Sequence, residues 1–317
     1  MYLIATDEAG YGPKLGPLVI VATAWSLPDA SPSETEIAER FAPLAAPVRL
    51  PGLTGVVNDS KSVFRQGEGL SWLHAVVSTG LTWCGYPASN LAELLEIVCA
   101  PDVASIRRSP WLTRRDSFPM LDSSQTRPLL QQWSRSGIAL VGVTARVITA
   151  RAFNQQCRQG FNKADLLSHG TLGLIRDHTD SLADLGLDVQ VRCDRHGGRR
   201  YYAAPLLHHF PERQLKVVEE TKEQSRYLLE LSDGRLDVRF TVKGDRFPPV
   251  AFSSLVAKYL RERLMESFNE YFAERHRGTT TFRPTAGYPV DADRFLAQIE
   301  PIRRRDGIDD ADLVRSR

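Results

Sequence analysis

Asp7-Glu8-Ala9-Gly10-Tyr11-Gly12-Pro13 stands between two apolar runs, Tyr2-Leu3-Ile4-Ala5-Thr6 before it and 17–26 (PLVIVATAWS) after it. The second run is rich in β-branched residues, and two such runs joined by a Gly/Pro-rich link predict a pair of adjacent strands. The link is too long for a tight hairpin, so a looped turn with a function of its own is expected. A dinucleotide-binding loop is excluded. Gly10-x-Gly12-x-x-x-Gly16 has the wrong spacing, and a β-type run follows where that motif needs a helix.

Further strands are predicted at 139–148 (ALVGVTARVI), at 188–193 (DVQVRC) ending at Asp194, and at 236–243 (LDVRFTVK) leading into Gly244-Asp245. Helical spacing appears at 33–44, 88–99, 128–135, 150–158 and 163–179. The clearest helix covers roughly 250–272, where Val256, Leu260, Leu264, Phe268 and Phe272 recur every fourth residue as one apolar stripe. This order of strands and helices predicts an α/β fold, a mixed sheet with helices packed on it. The rest of 27–138 reads as connecting loops, and 195–236 as an insertion with a helix-like patch. Residues 1–300 are expected to form one domain, with 301–317, which lacks periodicity, as a flexible solvated tail.

Asp7, Glu8, Asp194 and Asp245 each lie at or just past the end of an apolar strand, where ligand sites of α/β sheets gather. Several anionic groups brought together repel unless a cation neutralises them. Hard oxygen ligands suit magnesium or manganese. Two such ions about 4 Å apart activate a water and stabilise a leaving oxygen in phosphodiester cleavage. Taken singly, each acid reads equally well as a helix cap or a turn residue.

The bulk properties set the class. The 317 residues are 42% hydrophobic and 25% charged with a net charge of +2, which is ordinary globular composition. A strongly basic nucleic-acid binder is not implied, although a local basic face is compatible with that balance. Cys84, Cys99, Cys157 and Cys193 form no CxxC pair and read as reduced thiols. The N-terminus has no secretory pattern, and its longest apolar stretch, 17–25, is far too short to cross a bilayer. A cytoplasmic monomer with no membrane partner is the expectation.

The string 7–13, followed by Gly16-Pro17 and a valine-rich run, resembles the opening signature of ribonucleases HII and HIII, the type 2 ribonucleases H. Asp59-Ser60-Lys61 is similar to the family's Asp-Ser-Lys segment, and Asn154 with Asn162-Lys163-Ala164 to the stretch before its first long helix. Lys243-Gly244-Asp245, then Ser254-Leu255-Val256-Ala257-Lys258 and Arg261-Glu262-Arg263-Leu264-Met265, match a further motif at the same offsets. Gly287-Tyr288 resembles the Gly-Tyr element whose tyrosine stacks at the RNA–DNA junction.

The resemblance implies a ribonuclease H-like fold with a five-stranded mixed sheet. It implies Asp7, Glu8, Asp194 and Asp245 as the ligands of Mg2+ or Mn2+, and hydrolysis of the RNA strand of RNA/DNA hybrids to 5′-phosphate and 3′-hydroxyl ends. Substrate contacts would come from Gly10, Tyr11, Gly12, Lys61, Lys258 and Tyr288. In the turn, glycines at 10 and 12 leave backbone N–H groups open to a phosphate or a 2′-hydroxyl, the group that distinguishes RNA from DNA; a plain tight turn is the alternative. Lys258 reads equally as a helix-surface residue, and Tyr288 as a core tyrosine.

This chain departs from the family pattern in three places. Tyr11 replaces the arginine that helps read the junction ribonucleotide, Asp194-Arg195-His196-Gly197 replaces the usual Asp-Gly, and 27–138 and 195–236 are expanded. A metal-dependent nuclease of altered specificity and a non-catalytic nucleic-acid-binding module are the alternatives. Arg195, Arg199, Arg200 and Arg213 would then track a nucleic-acid backbone or form a plain surface charge run. His196 is a candidate for proton transfer or product release, and His208-His209 have no partner at metal-ligand spacing in the sequence.

Overall fold

β1 (Tyr2–Ala9) and β2 (Leu18–Ser26) pair antiparallel, with Asp7 opposite Val21. The computed structural model describes residues 1–58, 70–86, 88–113, 121, 123–182, 188–230, 234–278 and 281–316. A short hairpin, β3 (Val48–Leu50) and β4 (Leu53–Gly55), stands apart from the main sheet. The remaining strands are β5 (Ala139–Ile148), β6 (Val189–Asp194), β7 (Gln214–Glu220), β8 (Gln224–Glu230) and β9 (Arg235–Thr241). The main sheet runs β5-β2-β1-β6-β9-β8-β7. Because β6 is parallel to both β1 and β9, three strands end at the same edge.

The first five strands of that order form the mixed sheet expected from the resemblance, and β8 and β7 raise the count to seven. These two come from the stretch 195–236. It is therefore not a separate excursion but an antiparallel hairpin hydrogen-bonded to β9 through pairs such as Tyr227↔Val238.

Helices α1 (Glu34–Ala45), α2 (Ser71–Trp83), α3 (Leu91–Val98), α4 (Val103–Arg107), α5 (Ser123–Trp133), α6 (Ala150–Arg158), α7 (Lys163–Leu182), α8 (Ala203–His209), α9 (Pro248–Arg275), α10 (Pro289–Asp306) and α11 (Asp310–Leu313) complete the described elements. Side-chain alternation along β1 feeds two cores. Leu3 and Ala5 pack with α1, α2 and α9, while Ile4 packs with α7 and α8. With both faces covered, β1 and β2 read as nearly continuous apolar runs.

The helix predicted over 250–272 is α9, longer at both ends and entered through Pro248-Pro249. It is buried well beyond its stripe, since Phe252, Leu255 and Tyr259 are covered as fully as Leu260. A polar lock fixes it on the sheet. Ser253 Oγ donates to Ala5 O at 3.0 Å and lies 2.9 Å from Thr23 Oγ1, which also accepts from Trp25 Nε1 at 2.9 Å.

Two expectations are corrected. Residues 71–83, read as connecting loop, form α2. The segment is buried nearly all round, so no amphipathic period marks it. Residues 301–317, read as a flexible solvated tail, are docked through residue 316. Arg303 lies in α10, and Leu15 bridges to Val314. Asn154, buried on α6, donates to Ala311 O at 2.8 Å and Val314 O at 2.7 Å. Its Oδ1 accepts from Ser316 N at 2.6 Å and Ser316 Oγ at 2.7 Å. Such long-range polar bonds leave no periodic trace in the sequence.

Replacing Asn154 by Ala strands several of these partners, and a loss of about 1–3 kcal/mol is expected in urea unfolding. Unchanged stability, with unchanged amide exchange at 311–316, would show that the clasp does not hold the segment.

Candidate active site

Parallel pairing sets Thr6 opposite Cys193 and Cys193 opposite Phe240. One residue further on, Asp7 and Asp194 are neighbours at the C-terminal edge, with Thr241 beside Asp194. Alternation puts both aspartates on the α9 face, the side of Leu3 and Ala5, while Cys193 points into the other core. The chain leaving β9 reverses at Lys243, whose φ is 57°, and passes through the 3-10 turn Gly244–Arg246 that carries Asp245. Gly244 N–H donates to Asp194 Oδ1 at 2.8 Å. A Cβ at Gly244 would stand 2.9 Å from Cys193 O and 3.0 Å from Asp194 Cα, so only glycine lets this turn press against the strand end.

Asp7 is buried and accepts hydrogen bonds from its neighbour Glu8 N–H, at 2.8 Å, and from the Ser254 hydroxyl. Burial, then the charge of Asp194, with Asp245 adding to it, push its carboxyl up to about 7 against those two bonds. The three aspartates thus share one field. Glu8 sits at the same edge on the opposite side of the pleat, where its charge acts on Tyr11 and Cys193. The donor chemistry, with its uncompensated negative charge at Asp7, fits a hard dication. Among the described residues, however, no three acidic, histidine or cysteine side chains converge on a common metal position.

The glycine turn is held from beneath. Gly10 has φ 87°, and a Cβ there would meet Arg261 Nε and Pro17 O, each at 2.6 Å. Arg261 is 2% exposed and donates to Ala286 O at 2.9 Å. Arg315, 4% exposed, donates to Gly10 O at 2.7 Å and to Pro13 O, and its N–H reaches Lys14 O at 3.0 Å. Burial and the like charge of Arg261 draw the Arg315 guanidinium below its ordinary range.

Other predicted residues fall around this turn or away from it. Tyr11 lies under Lys163, whose Nζ is 4.2 Å from its ring centroid, and faces Gly197. Gly12 is exposed, and Tyr288, 53% exposed, is the side chain nearest to it; a Cβ at Gly12 would be 3.6 Å from Tyr288 Cε1. Tyr288 is thus no core tyrosine. Lys258, on α9, pairs with Glu262 at 2.9 Å. Lys61, with Asp59 and Ser60, lies outside the described residues.

His196 does not face the aspartates. It is buried against Tyr202 and Phe240, with Nδ1 3.0 Å from Ser168 Oγ, and burial followed by the charge of Arg199 pushes it down to about 3. Arg199 pairs with Asp165, Arg195 caps the carbonyls of Lys222 and Thr221, and Arg213 lies over Phe210. Arg195, Arg199 and Arg213 are therefore engaged within the fold.

Sequence reasoning missed the parts played by Ser254, Arg261 and Arg315. The first two sit inside motifs already noted, but their targets are set by tertiary packing. Nothing in the sequence ties Arg315 to residue 10.

No known family profile matches the chain, and none of the curated proteins is similar to it in sequence. Among solved structures it is similar to a ribonuclease HII from Archaeoglobus fulgidus, solved in complex with PCNA. The identity is 15%, all of this chain and 95% of that one are covered, and the TM-score is 0.43. It is similar also to a ribonuclease H2 from Pyrococcus horikoshii, at 12% identity over 99% and 92% of the two chains with a TM-score of 0.41. A third is Bst-RNase HIII in complex with Mn2+, at 11% identity over 99% and 66% with a TM-score of 0.40. No helix among the described residues is long and apolar enough to cross a membrane.

The raised carboxyl predicts how the chelated protein responds to pH. A folded pKa of about 7 against an ordinary 3.8 means that the folded state holds the Asp7 proton more tightly than the unfolded chain does. That stabilisation is complete below the unfolded value and disappears as pH rises through about 7. In chelator, the wild-type melting temperature is expected to fall relative to that of Asp7→Asn between about pH 5 and about pH 8. A constant difference between the two proteins would show that Asp7 is not strained by its neighbours.

Proposed function

We propose that this chain is a divalent-metal-dependent endoribonuclease of the type 2 ribonuclease H kind, cutting the RNA strand of RNA/DNA hybrids. The observation that carries the reading is the crowding of Asp7, Asp194 and Asp245 at the ends of β1, β6 and the turn after β9. A binder of phosphate gains nothing from clustered acids, which repel its ligand unless a cation stands between them. Asp7, Glu8, Asp194 and Asp245 would hold Mg2+ or Mn2+. Ions bound there supply charge neutralisation and an activated water, giving 5′-phosphate and 3′-hydroxyl products.

The chain's own contribution is positioning. The Ser254 hydroxyl and the Glu8 N–H hold one Asp7 orientation, and the Gly244 N–H holds one for Asp194. The turn at Gly10, Tyr11 and Gly12, braced by Arg261 and Arg315, presents backbone N–H groups to a 2′-hydroxyl. The exposed ring of Tyr288 beside Gly12 offers a stacking face, and Lys258 and Lys61 are the proposed phosphate contacts.

The test is cleavage of labelled duplexes in Mg2+ or Mn2+, with and without chelator. The set contains DNA with one ribonucleotide, a long hybrid, double-stranded RNA and plain DNA. Metal-dependent cutting confined to ribonucleotides opposite DNA is expected. Asp7→Asn should lower the rate by about 10²–10³-fold or more, the scale of losing a group that stabilises transition-state charge, while hybrid binding persists. Near-normal turnover by that variant would sink the metal mechanism, and hybrid bound but never cut would favour a non-catalytic binder.

Tyr11, turned under Lys163, replaces the family's junction-reading arginine. Tyr11→Arg is therefore expected to raise cutting at a single embedded ribonucleotide relative to the long hybrid. An unchanged ratio would remove Tyr11 from substrate choice.

A further inference from the structure

A second group of potential ligands lies on the far core's surface, away from the aspartates. α7 supplies His169 and α8 ends with His208-His209. His169 Nδ1 and His209 Nε2 are 3.0 Å apart, with ring centroids 4.7 Å from each other. The His208 ring is 6.0 Å from that of His169. These rings line an open cleft of about 480 Å3 with Phe161, Asp165 and Arg199. We propose that His169 and His209 form a binding site for a borderline transition cation such as Zn2+ or Ni2+, distinct from the carboxylate site.

The geometry suits that class of ion. Two imidazoles at about 2.1 Å from one tetrahedral metal have their nitrogens about 3.4 Å apart, so the present separation needs to open by only a few tenths of an ångström. Imidazole nitrogen selects Zn2+, Ni2+ or Cu2+ over Mg2+, which prefers oxygen. Both rings are available as neutral ligands. Burial, then the charge of His208, lowers His169, and burial followed by His169 holds His209 at about 4. The metal replaces the proton now shared between the two nitrogens, and a tautomer change moves that proton to the other ring nitrogen without net release. With no third ligand converging among the described residues, the remaining positions open to water or an incoming group in the cleft. His208, exposed at the rim, is near enough to join by a rotamer change.

Calorimetric titration of the untagged full chain with Zn2+, in excess Mg2+ to occupy carboxylates, tests the proposal independently of any nuclease activity. One Zn2+ per chain is expected, lost in His169→Ala and in His209→Gln, and kept in Asp194→Asn. Circular dichroism and melting curves without Zn2+ verify that each variant is folded. No Zn2+ binding by the wild type, undiminished binding in both histidine variants, or loss only in Asp194→Asn would each overturn it.

Discussion

Like charges placed side by side at the ends of two parallel strands dominate this molecule. The register that puts Thr6 beside Cys193 leaves Asp7 and Asp194 adjacent, and the β9 turn adds Asp245. Burial removes the water that would screen them. Everything around the edge works against that repulsion. Ser254 and two backbone N–H groups donate into it, and the Ser253 lock fixes the helix from which Ser254 reaches out. A cation bound there, as proposed, would stabilise the folded chain as the logarithm of its concentration over its dissociation constant.

Around that edge, the fold separates anchoring from presentation. Asp7 and Asp194 stand on central strands covered on both faces, and Asp245 on the turn that follows β9. The glycine turn, which has no regular structure, packs against the buried Arg261 of α9 and accepts a hydrogen bond from the buried Arg315. Tyr11 and Tyr288, by contrast, keep accessible surface close to the turn.

Much of this was legible in the sequence because the relevant signals are local. The apolar runs, their terminal acids and the four-residue stripe of α9 each occupy a short window, and their order suffices for a mixed sheet with acids at one edge. What could not be read is long-range. α2 is buried nearly all round and so lacks the period that marks a surface helix. The hairpin β7–β8 carries too little buried alternation on β7, which is mostly exposed, to stand out. The segment after α10 is polar, and only its bonds to Asn154 and the glycine turn order it. At the site, the aspartates could be named from strand ends. Alternation along β1 puts Glu8 on the opposite face from Asp7, and only the pairing with β6 brings Asp194 beside Asp7.

The Arg315–Gly10 bond joins residues 305 positions apart. It stands beside the Leu15–Val314 bridge and the Arg315 N–H bond to Lys14 O, so the turn is tied to the C-terminal segment by tertiary contacts and not by local sequence. Displacing residues 311–316 would take the Arg315 donors away from Gly10 and Pro13 without touching the pairing of β1 with β2 beneath them.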